Sequence, residues 1–356
     1  MKEGKMRLGI LTGMVSTEKK ALATSMPGTR SDVVISENWQ TSMEKIKIAE
    51  DLGYECVVVP ESWQLSAIPW LSLIAEHTNK IQIGTSIINS FSRSPAALAQ
   101  DYATLEIISE GRMILGIGSS SAAVVENYHG IPFKKPLRRL KEYTEIFNIL
   151  ISGEKLFYEG EIYNLTQGFS LRYDRPRDHV PVWIASLTPK SLEQSGEIAD
   201  GIMPVHWPST RMNELRQQLD IGAKKINRDV NEVTIAPHSH LFILDGNNDN
   251  EIWDEARRPL EMYINRMGNF YHEMMARTGW EKEVRASQDA FAKKDKDKAV
   301  QAISNEMVEE IQVIGTIEQI REKLQQRSDN GADLQIIYMP KGDPKIAGRL
   351  LEKLIS

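Results

Sequence analysis

The chain has 356 residues, a length that one large domain of barrel size with insertions fits as well as a pair of domains does. Its 43 Lys and Arg against 49 Asp and Glu give a net charge of −6, and this mildly acidic balance argues against a nucleic-acid partner. No apolar stretch approaches the roughly 18 to 20 residues that a membrane helix needs. Residues 1–11 hold too short an apolar run for a secretory leader, and the single Cys56 cannot form an intrachain disulfide. We therefore expect a cytoplasmic enzyme or small-molecule binder with neither a nucleic-acid nor a membrane partner.

Short runs of apolar, β-branched residues recur along the chain and predict eight strands. They cover residues 7–12, 55–59, 81–88, 113–117, 182–185, 201–205, 234–244 and 334–338. Continuously apolar runs of this kind are typical of parallel strands that are covered on both faces. Between several of these runs, as in 39–52 and 95–108, apolar residues recur at the three- and four-residue spacing of a helix.

Strands that alternate with helices predict an α/β fold with a parallel sheet, and eight of them at this length favour a (β/α)8 TIM barrel. The alternative is a doubly wound sheet with a small second domain. Gly9, within the first predicted strand, and Gly13, just after it, lack the G-x-G-x-x-G spacing of a dinucleotide-binding sheet. We therefore predict one barrel domain over 1–356 with two insertions, a β-hairpin at about 153–178 and a polar, Met-rich helical segment at about 245–308.

Active sites of such barrels lie at the carboxyl ends of the strands, so polar residues that follow a strand are the candidates. Glu61 follows the second predicted strand and His206 the sixth, and these two are the candidate catalytic residues. The loops Gly118-Ser119-Ser120, after the fourth strand, and Ser186-Leu187-Thr188, after the fifth, offer backbone N–H groups that can hold a phosphate. His129 is a further candidate.

Two other kinds of chemistry lack support in the residues. His238 and His240 stand two apart on a predicted strand and so point the same way, but no HExxH pattern or Cys partner accompanies them, and no metal site is predicted. No G-x-S-x-G elbow supports acyl transfer. The residues themselves thus predict a barrel enzyme with an anionic ligand, for which a phosphate group is the natural candidate.

Three longer motifs give a resemblance to a known family. They are residues 84–143 (beginning GTSIINSFSRSP and including LGIGSSS), 181–204 (PVWIASLTPKSLEQSGEIADGIMP) and 314–338 (IGTIEQIREKLQQRSDNGADLQIIY). In order and spacing they resemble the bacterial luciferase-like superfamily of flavin and deazaflavin oxidoreductases. The branch they resemble most is that of the F420-dependent methylenetetrahydromethanopterin reductases, and the resemblance runs from about residue 6 to 340.

The resemblance implies a TIM barrel with the deazaflavin F420 lying across the strand ends. In the family a non-prolyl cis peptide after the third strand backs the ring, and Ser86 and Ile87 match it here. The other matching positions imply an acidic residue that approaches the cofactor, a contact at its pyrimidine edge, and loops around its ribityl chain and phosphate. They are Glu61 for the acid, Asn89 for the edge, and Gly118, Ser119, Ser120, Ala185, Ser186 and Leu187 for the loops, and His129 is assigned to the same cofactor site.

The activity implied is hydride transfer between F420 and a small organic substrate. FMN is the alternative cofactor, with monooxygenation and a separate flavin-reducing enzyme as partner, and a non-catalytic partner subunit is the third hypothesis. A homodimer or larger homo-oligomer is expected, as is usual in the family. Ser62 stands where sugar-phosphate dehydrogenases of the family have a catalytic His, and serines and alanines replace their Glu after the fourth strand. Sugar-phosphate oxidation is therefore not expected, and no general base transfers to this sequence.

Overall fold

The structure is a computed structural model that describes residues 6–12, 15–16, 37–63 and 65–356. The strands are β1 (Leu8–Leu11), β2 (Val15–Ser16), β3 (Glu37–Asn38), β4 (Cys56–Val59), β5 (Gln82–Thr85), β6 (Ile88–Asn89), β7 (Met113–Gly118), β8 (Leu156–Glu159), β9 (Asn164–Phe169), β10 (Val182–Ile184), β11 (Gly201–Ile202), β12 (Thr234–Ile235), β13 (His238–Ser239), β14 (Leu241–Ile243), β15 (Val313–Gly315) and β16 (Gln335–Tyr338).

The helices follow the strands in regular alternation through most of the chain. They are α1 (Trp39–Leu52), α2 (Ala67–His77), α3 (Pro95–Ser109), α4 (Ala122–Asn127), α5 (Pro136–Ile151), α6 (Pro189–Ile198), α7 (Met212–Lys225), α8 (Asp249–Arg266), α9 (Asn269–Met275), α10 (Glu281–Ala292), α11 (Lys296–Gln301), α12 (Asn305–Ile311), α13 (Ile317–Asp329) and α14 (Pro344–Ile355), with a π turn at Ala276–Trp280. Within the described ranges, every helix is too short or too polar to cross a bilayer.

All eight predicted strand runs contain strand residues, and three of them differ from the prediction by more than two residues. The run 81–88 is divided into β5 and β6 by a cis peptide between Ser86 and Ile87. The run 234–244 is three strands, because Pro237 between β12 and β13 has no N–H for a ladder hydrogen bond. Pro204 likewise limits the run 201–205 to β11. The three-residue β15 was not predicted.

The chain divides into two compact units. The first unit contains the described residues of 8–120, 128–185 and 338–356, and the second contains those of 6–7, 121–127 and 186–337. In the first unit the strands β1, β4, β5, β7 and β10 pair in this order, each parallel to the next, and β6 also pairs with β7. The hairpin β8–β9 is antiparallel and lies in the segment where a hairpin was predicted.

The second unit builds its core on short parallel pairs and many helices. Its strands pair as β11 with β12, β13 with β16, and β14 with β15. A large hydrophobic cluster joins α7, α8, α9 and α12, with Leu215, Leu260, Met275 and Met307 among its buried side chains. The predicted α/β fold with parallel strands is thus confirmed, whereas closure of the strands into a complete eight-stranded barrel stays a prediction.

Helix starts follow the signals in the sequence. Thr188 begins α6 with a capping box, in which its hydroxyl accepts a hydrogen bond from the Ser191 N–H and the Ser191 hydroxyl accepts one from the Thr188 N–H. Pro189 occupies the first helical position, where its missing N–H costs nothing. Ser94 and Pro95 start α3 in the same way, with the Ser94 hydroxyl accepting from the Ala97 N–H at 3.1 Å. Side-chain oxygens therefore satisfy N–H groups that the helix itself leaves open.

Two glycines allow α6 and α7 to lie against each other backbone to backbone. A Cβ on Gly196 would lie 2.0 Å from the Leu219 carbonyl oxygen, and one on Gly222 would lie 1.7 Å from the Glu193 carbonyl oxygen. Neither oxygen can move aside without breaking its helix. The two positions therefore fix the spacing of these helices in the second unit.

We predict that Gly196→Ala lowers the free energy of unfolding by about 2 kcal/mol or more, because the methyl group forces the two helix backbones apart. In an open helix the same change would stabilise the chain by up to about 1 kcal/mol, so the sign itself is informative. Urea unfolding measures the change. Lys190→Ala, at an exposed position on α6, is the matched control and should shift stability by less than about 0.5 kcal/mol. A Gly196→Ala protein as stable as the parent contradicts the close approach.

Candidate active site

Three residues that the sequence analysis assigned to the cofactor meet in the first unit. A Cβ on Gly118, at the end of β7, would lie 3.1 Å from the Ile87 Cδ1 and 3.2 Å from the Ala185 Cβ. Ile87 follows the cis peptide and Ala185 follows β10, so the ends of neighbouring strands bring the three together. A side chain at position 118 would press against both neighbours, so a glycine fits this position best. The surface around Gly118 is formed by the aliphatic side chain of Ile87 and the methyl group of Ala185.

Asn89 adds a polar group to this region. Its Oδ1 accepts a hydrogen bond from the Phe91 N–H at 2.8 Å, which fixes the orientation of the amide. The Asn89 side chain is buried, and its Nδ2 has no hydrogen-bond partner within the described part of the chain. A buried donor without a partner costs about 1–3 kcal/mol. A carbonyl oxygen on the edge of a bound ring would supply the missing acceptor, so the residue present fits a flavin-type cofactor.

The loop after β7 has the geometry of an anion site. Ser120 has a left-handed backbone with φ of 59°, and the Ser119 hydroxyl donates to the Ser120 carbonyl oxygen at 3.4 Å. A left-handed residue in a loop turns successive backbone N–H groups towards the same side, where they can bind a phosphate oxygen. Both serines are half-buried. His129, by contrast, lies with its ring edge against Tyr128 at 5.0 Å, and no described contact joins it to Ile87, Gly118 or Ala185.

Glu61 is held in an ion pair. Arg93, in the loop before α3, donates to both carboxylate oxygens of Glu61, and the Ala67 N–H at the start of α2 donates to one of them at 2.8 Å. The second carboxylate at Arg93 is Asp101, 3.7 Å away. The hydrogen bond to Glu61 raises the pKa of Arg93, and burial raises the pKa of Asp101. Both oxygens of Glu61 are therefore engaged in joining three segments of the first unit.

Arg93 is not among the site residues that the sequence predicts. The signal for it was available, because an arginine in the S-R-S-P motif follows a predicted strand and needs a carboxylate partner when buried. Glu61 and Arg93 lie far apart in the chain, so no local sequence pattern predicts that they pair.

In the second unit, two hydrogen bonds fix the position of the loop that begins at Ser186. The Ser186 hydroxyl lies 2.6 Å from the Ser195 hydroxyl on α6, and its side chain is buried. The Leu187 carbonyl accepts a hydrogen bond of 2.7 Å from Arg277, which the π turn in the helical insertion supplies. Burial and the nearby Arg211 lower the pKa of Arg277. The hydroxyl of Ser186 is thus engaged within the protein, and sequence reasoning missed Arg277.

His206 lies in an unusual environment in the second unit. Its side chain is buried, its backbone is left-handed with φ of 56°, and its Nε2 has no hydrogen-bond partner among the described residues. The His206 ring is stacked on His240 at 5.7 Å, and Tyr263 meets it edge-on at 4.4 Å. Burial lowers the pKa of His206 to about 3. The imidazole is therefore neutral near pH 7 and acts as a hydrogen-bonding group rather than as a charge.

We predict that Arg93→Ala lowers the free energy of unfolding by about 2–3 kcal/mol, because it leaves the carboxylate of Glu61 partly buried without its cation. Denaturant unfolding at pH 7 measures the loss. Arg285→Ala is the matched control, since its ion pair with Glu281 is exposed and should contribute less than about 0.5 kcal/mol. Equal losses in the two variants would show that the Glu61–Arg93 pair has no special role.

We also predict a pH dependence that originates from His206. Its pKa falls from 6.5 in the unfolded chain to about 3 in the folded one, so the unfolded state binds an extra proton between these values. Stability is therefore full above pH 6.5 and is lost as the pH falls, by about 2–3 kcal/mol at pH 4.5 from this residue. Urea unfolding at pH 7 and 4.5 should show a smaller loss in His206→Gln than in the parent protein. His238, whose pKa burial lowers to about 4, contributes equally to both. The same loss in both proteins would contradict the buried neutral imidazole.

The chain is similar in sequence to proteins of a known family. A family described as luciferase-like monooxygenase matches residues 8–334 of the chain. A 5,10-methylenetetrahydromethanopterin reductase of Archaeoglobus fulgidus is 24% identical over 306 residues, which span 84% of this chain and 90% of the reductase.

Two solved structures have a similar fold. The coenzyme F420-dependent tetrahydromethanopterin reductase from Methanopyrus kandleri aligns with a TM-score of 0.76 at 20% identity and covers 98% of both chains. An F420-dependent secondary alcohol dehydrogenase in complex with an F420-acetone adduct aligns with a TM-score of 0.74 at 17% identity, covering 99% of this chain and 98% of that one. Because the family match extends over most of the chain, the protein belongs to the luciferase-like monooxygenase family.

Proposed function

We propose that the protein is an F420-dependent oxidoreductase that transfers a hydride between the deazaflavin and a small organic substrate. The observation that carries this proposal is the meeting of Ile87, Gly118 and Ala185 beside the unpartnered amide of Asn89 in the first unit. Support comes from the reductase and the alcohol dehydrogenase that share the fold, both of which are F420-dependent.

When bound, F420 supplies a ring carbon that gives or accepts the hydride. The residues of the chain bind and orient that ring. Ile87 and the backbone beside Ser86 would support the ring, and the Asn89 Nδ2–H would be the donor for an oxygen on its edge. The backbone N–H groups of Ser119 and Ser120 in the first unit would hold its phosphate. Orientation of this kind is the main service that a protein gives to hydride transfer.

The two candidate catalytic residues act in different ways under this proposal. Arg93 and the Ala67 N–H hold the Glu61 side chain in one orientation, so Glu61 shapes the cofactor side of the first unit. His206 is a neutral hydrogen-bonding group. His129 is half-buried and belongs to the proposed site only through its position in the family motif. A homodimer in the cytoplasm completes the proposal.

The test is a fluorescence titration of the purified protein with F420 and with FMN. Micromolar binding of F420 without binding of FMN supports the proposal. Tight binding of FMN alone would favour the alternative, an FMN-dependent monooxygenase that receives reduced flavin from a partner enzyme. Binding of neither cofactor contradicts both and favours a non-catalytic partner subunit.

We predict that Asn89→Asp weakens F420 binding by about tenfold or more, because it replaces the unpartnered donor with an acceptor and keeps the bond from the Phe91 N–H. Asn127→Asp, at an exposed position on α4, is the matched control and should bind as the parent does. A larger block is expected from Ser119→Trp, which fills the space beside the proposed phosphate loop. Thermal unfolding checks that each variant is folded. Unchanged affinity in both Asn89→Asp and Ser119→Trp would contradict this cofactor site.

A further inference from the structure

Four rings from separate segments of the second unit meet around His206. Tyr263 on α8 meets His206 edge-on at 4.4 Å, and His240, between β13 and β14, stacks on His206 at 5.7 Å. Tyr271 on α9 meets Tyr263 at 4.6 Å. We refer to His206, His240, Tyr263 and Tyr271 as the His/Tyr cluster. His206 is buried within it, whereas His240, Tyr263 and Tyr271 each retain a small exposed fraction.

Two energetically unfavourable features occur together at His206. Its Nε2 is removed from water and has no hydrogen-bond partner in the described ranges. Its backbone is left-handed, a conformation that side chains other than glycine rarely adopt. Costs of this kind persist where the surrounding structure enforces them, and they concentrate at ligand sites. A neutral imidazole carries its proton on one of its two ring nitrogens. If Nε2 carries it, a ligand atom that accepts a hydrogen bond from Nε2–H would remove the first cost.

His206, Tyr263 and Tyr271 carry no charge near neutral pH. Burial lowers the pKa of His206 to about 3 and raises the pKa of Tyr263 to about 12. The charged group that acts on His206 is Arg327, which also lowers the pKa of that imidazole; His238 is the other titratable neighbour. Arg327 is buried and donates to the Ser239 hydroxyl at 3.0 Å and to the Ile311 carbonyl. Both terminal nitrogens of its guanidinium donate there and the side chain is buried, so Arg327 acts on the cluster through its positive charge.

The positive charge of Arg327 and the aromatic rings of the cluster favour a ligand without charge. A cationic group would be repelled by Arg327, and an anionic group would lose its water without gaining a cation that can touch it. A neutral molecule with a flat apolar body avoids both costs, because it can lie against the rings of Tyr263 and His240. Its oxygen atom, if it is a carbonyl or hydroxyl, is the acceptor that the Nε2–H of His206 lacks.

We propose that the His/Tyr cluster is the substrate site, and that the substrate is an uncharged molecule with a flat apolar body and a carbonyl or hydroxyl oxygen bound by His206. His206 is then a specificity-determining residue. The proposal rests on the proposed function only in naming this ligand the substrate, since the site itself is formed by the protein.

Three probes of equal size and different charge test the ligand class: acetophenone, benzoate and benzylamine. Each is titrated into the protein without cofactor, and binding is measured by calorimetry. Acetophenone should bind, and the two charged probes should bind at least about tenfold more weakly. Equal or tighter binding of benzoate or benzylamine overturns the proposal, and so does the failure of acetophenone to bind.

Variants test the part played by His206. His206→Leu should lose at least about tenfold in acetophenone affinity, and His206→Gln, which keeps an N–H donor, should lose less. Tyr263→Leu removes a wall of the site without changing the strained backbone of His206, and it should also weaken binding. His272→Gln, which changes a half-buried histidine on α9 outside the cluster, is the matched control and should bind normally. Wild-type affinity in His206→Leu or in Tyr263→Leu overturns the proposal.

A spectroscopic measurement separates a direct contact from a structural role. The ¹⁵N resonance of the His206 Nε2 should shift when acetophenone is added to the unaltered protein, because a new acceptor reaches that nitrogen. A resonance that stays in place overturns the proposal even if His206→Leu cannot be folded. F420 titration of the same sample keeps the two ideas apart. Failure to bind F420 together with the expected probe selectivity refutes the cofactor, and F420 binding without that selectivity refutes the His/Tyr cluster as the substrate site.

Discussion

The parallel pairing of buried strands in the first unit is the constraint on which its candidate site depends. The strands β4 and β7 are buried along their whole length and can lie only where apolar surfaces cover both faces. Parallel pairing places the carboxyl ends of neighbouring strands at one edge. Ile87, Gly118 and Ala185 are distant in the chain and meet because β6, β7 and β10 pair in register. The energy that orders the strands thus also assembles the surface proposed for the cofactor.

The polar groups at the carboxyl ends of these strands differ in whether they have hydrogen-bond partners. Groups that are fully paired stabilise the loops, whereas a group with an unpaired donor can bind a ligand. Glu61 and Arg93 satisfy each other, and the Ala67 N–H completes the set, so this group stabilises the loops in the absence of any ligand. Asn89 keeps one donor without an acceptor in the described chain. In the second unit His206 shows the same incompleteness, with a left-handed backbone in addition. A folded chain pairs nearly all of its buried polar atoms, so an unpaired atom at either proposed site is a place where a ligand can contribute binding energy.

The helical insertion changes what the second unit can bind. It contributes Tyr263 and Tyr271 to the cluster around His206 and Arg277 to the loop of Leu187. The methionines of the insertion, such as Met274 and Met275, are buried in the hydrophobic core of the unit. The apolar residues therefore anchor the insertion, and its tyrosines contribute rings to the substrate site proposed for this unit.

The sequence by itself determined the order of the strands and helices, because a buried parallel strand must be apolar throughout and a helix start needs a capping oxygen, as Thr188 supplies. It also determined the family, and with it the positions of the cis peptide, Asn89 and the serine loop. The tertiary structure alone decided that Glu61 is engaged by Arg93, that the Ser186 hydroxyl is bound to α6 through Ser195, and that His206 is neutral beneath the tyrosines of the insertion. These properties depend on contacts between residues far apart in the chain and on how much water each group loses, and neither is encoded in local periodicity. The short β15 escaped prediction for a related reason: three apolar residues carry no period, and pairing with β14 alone makes them a strand.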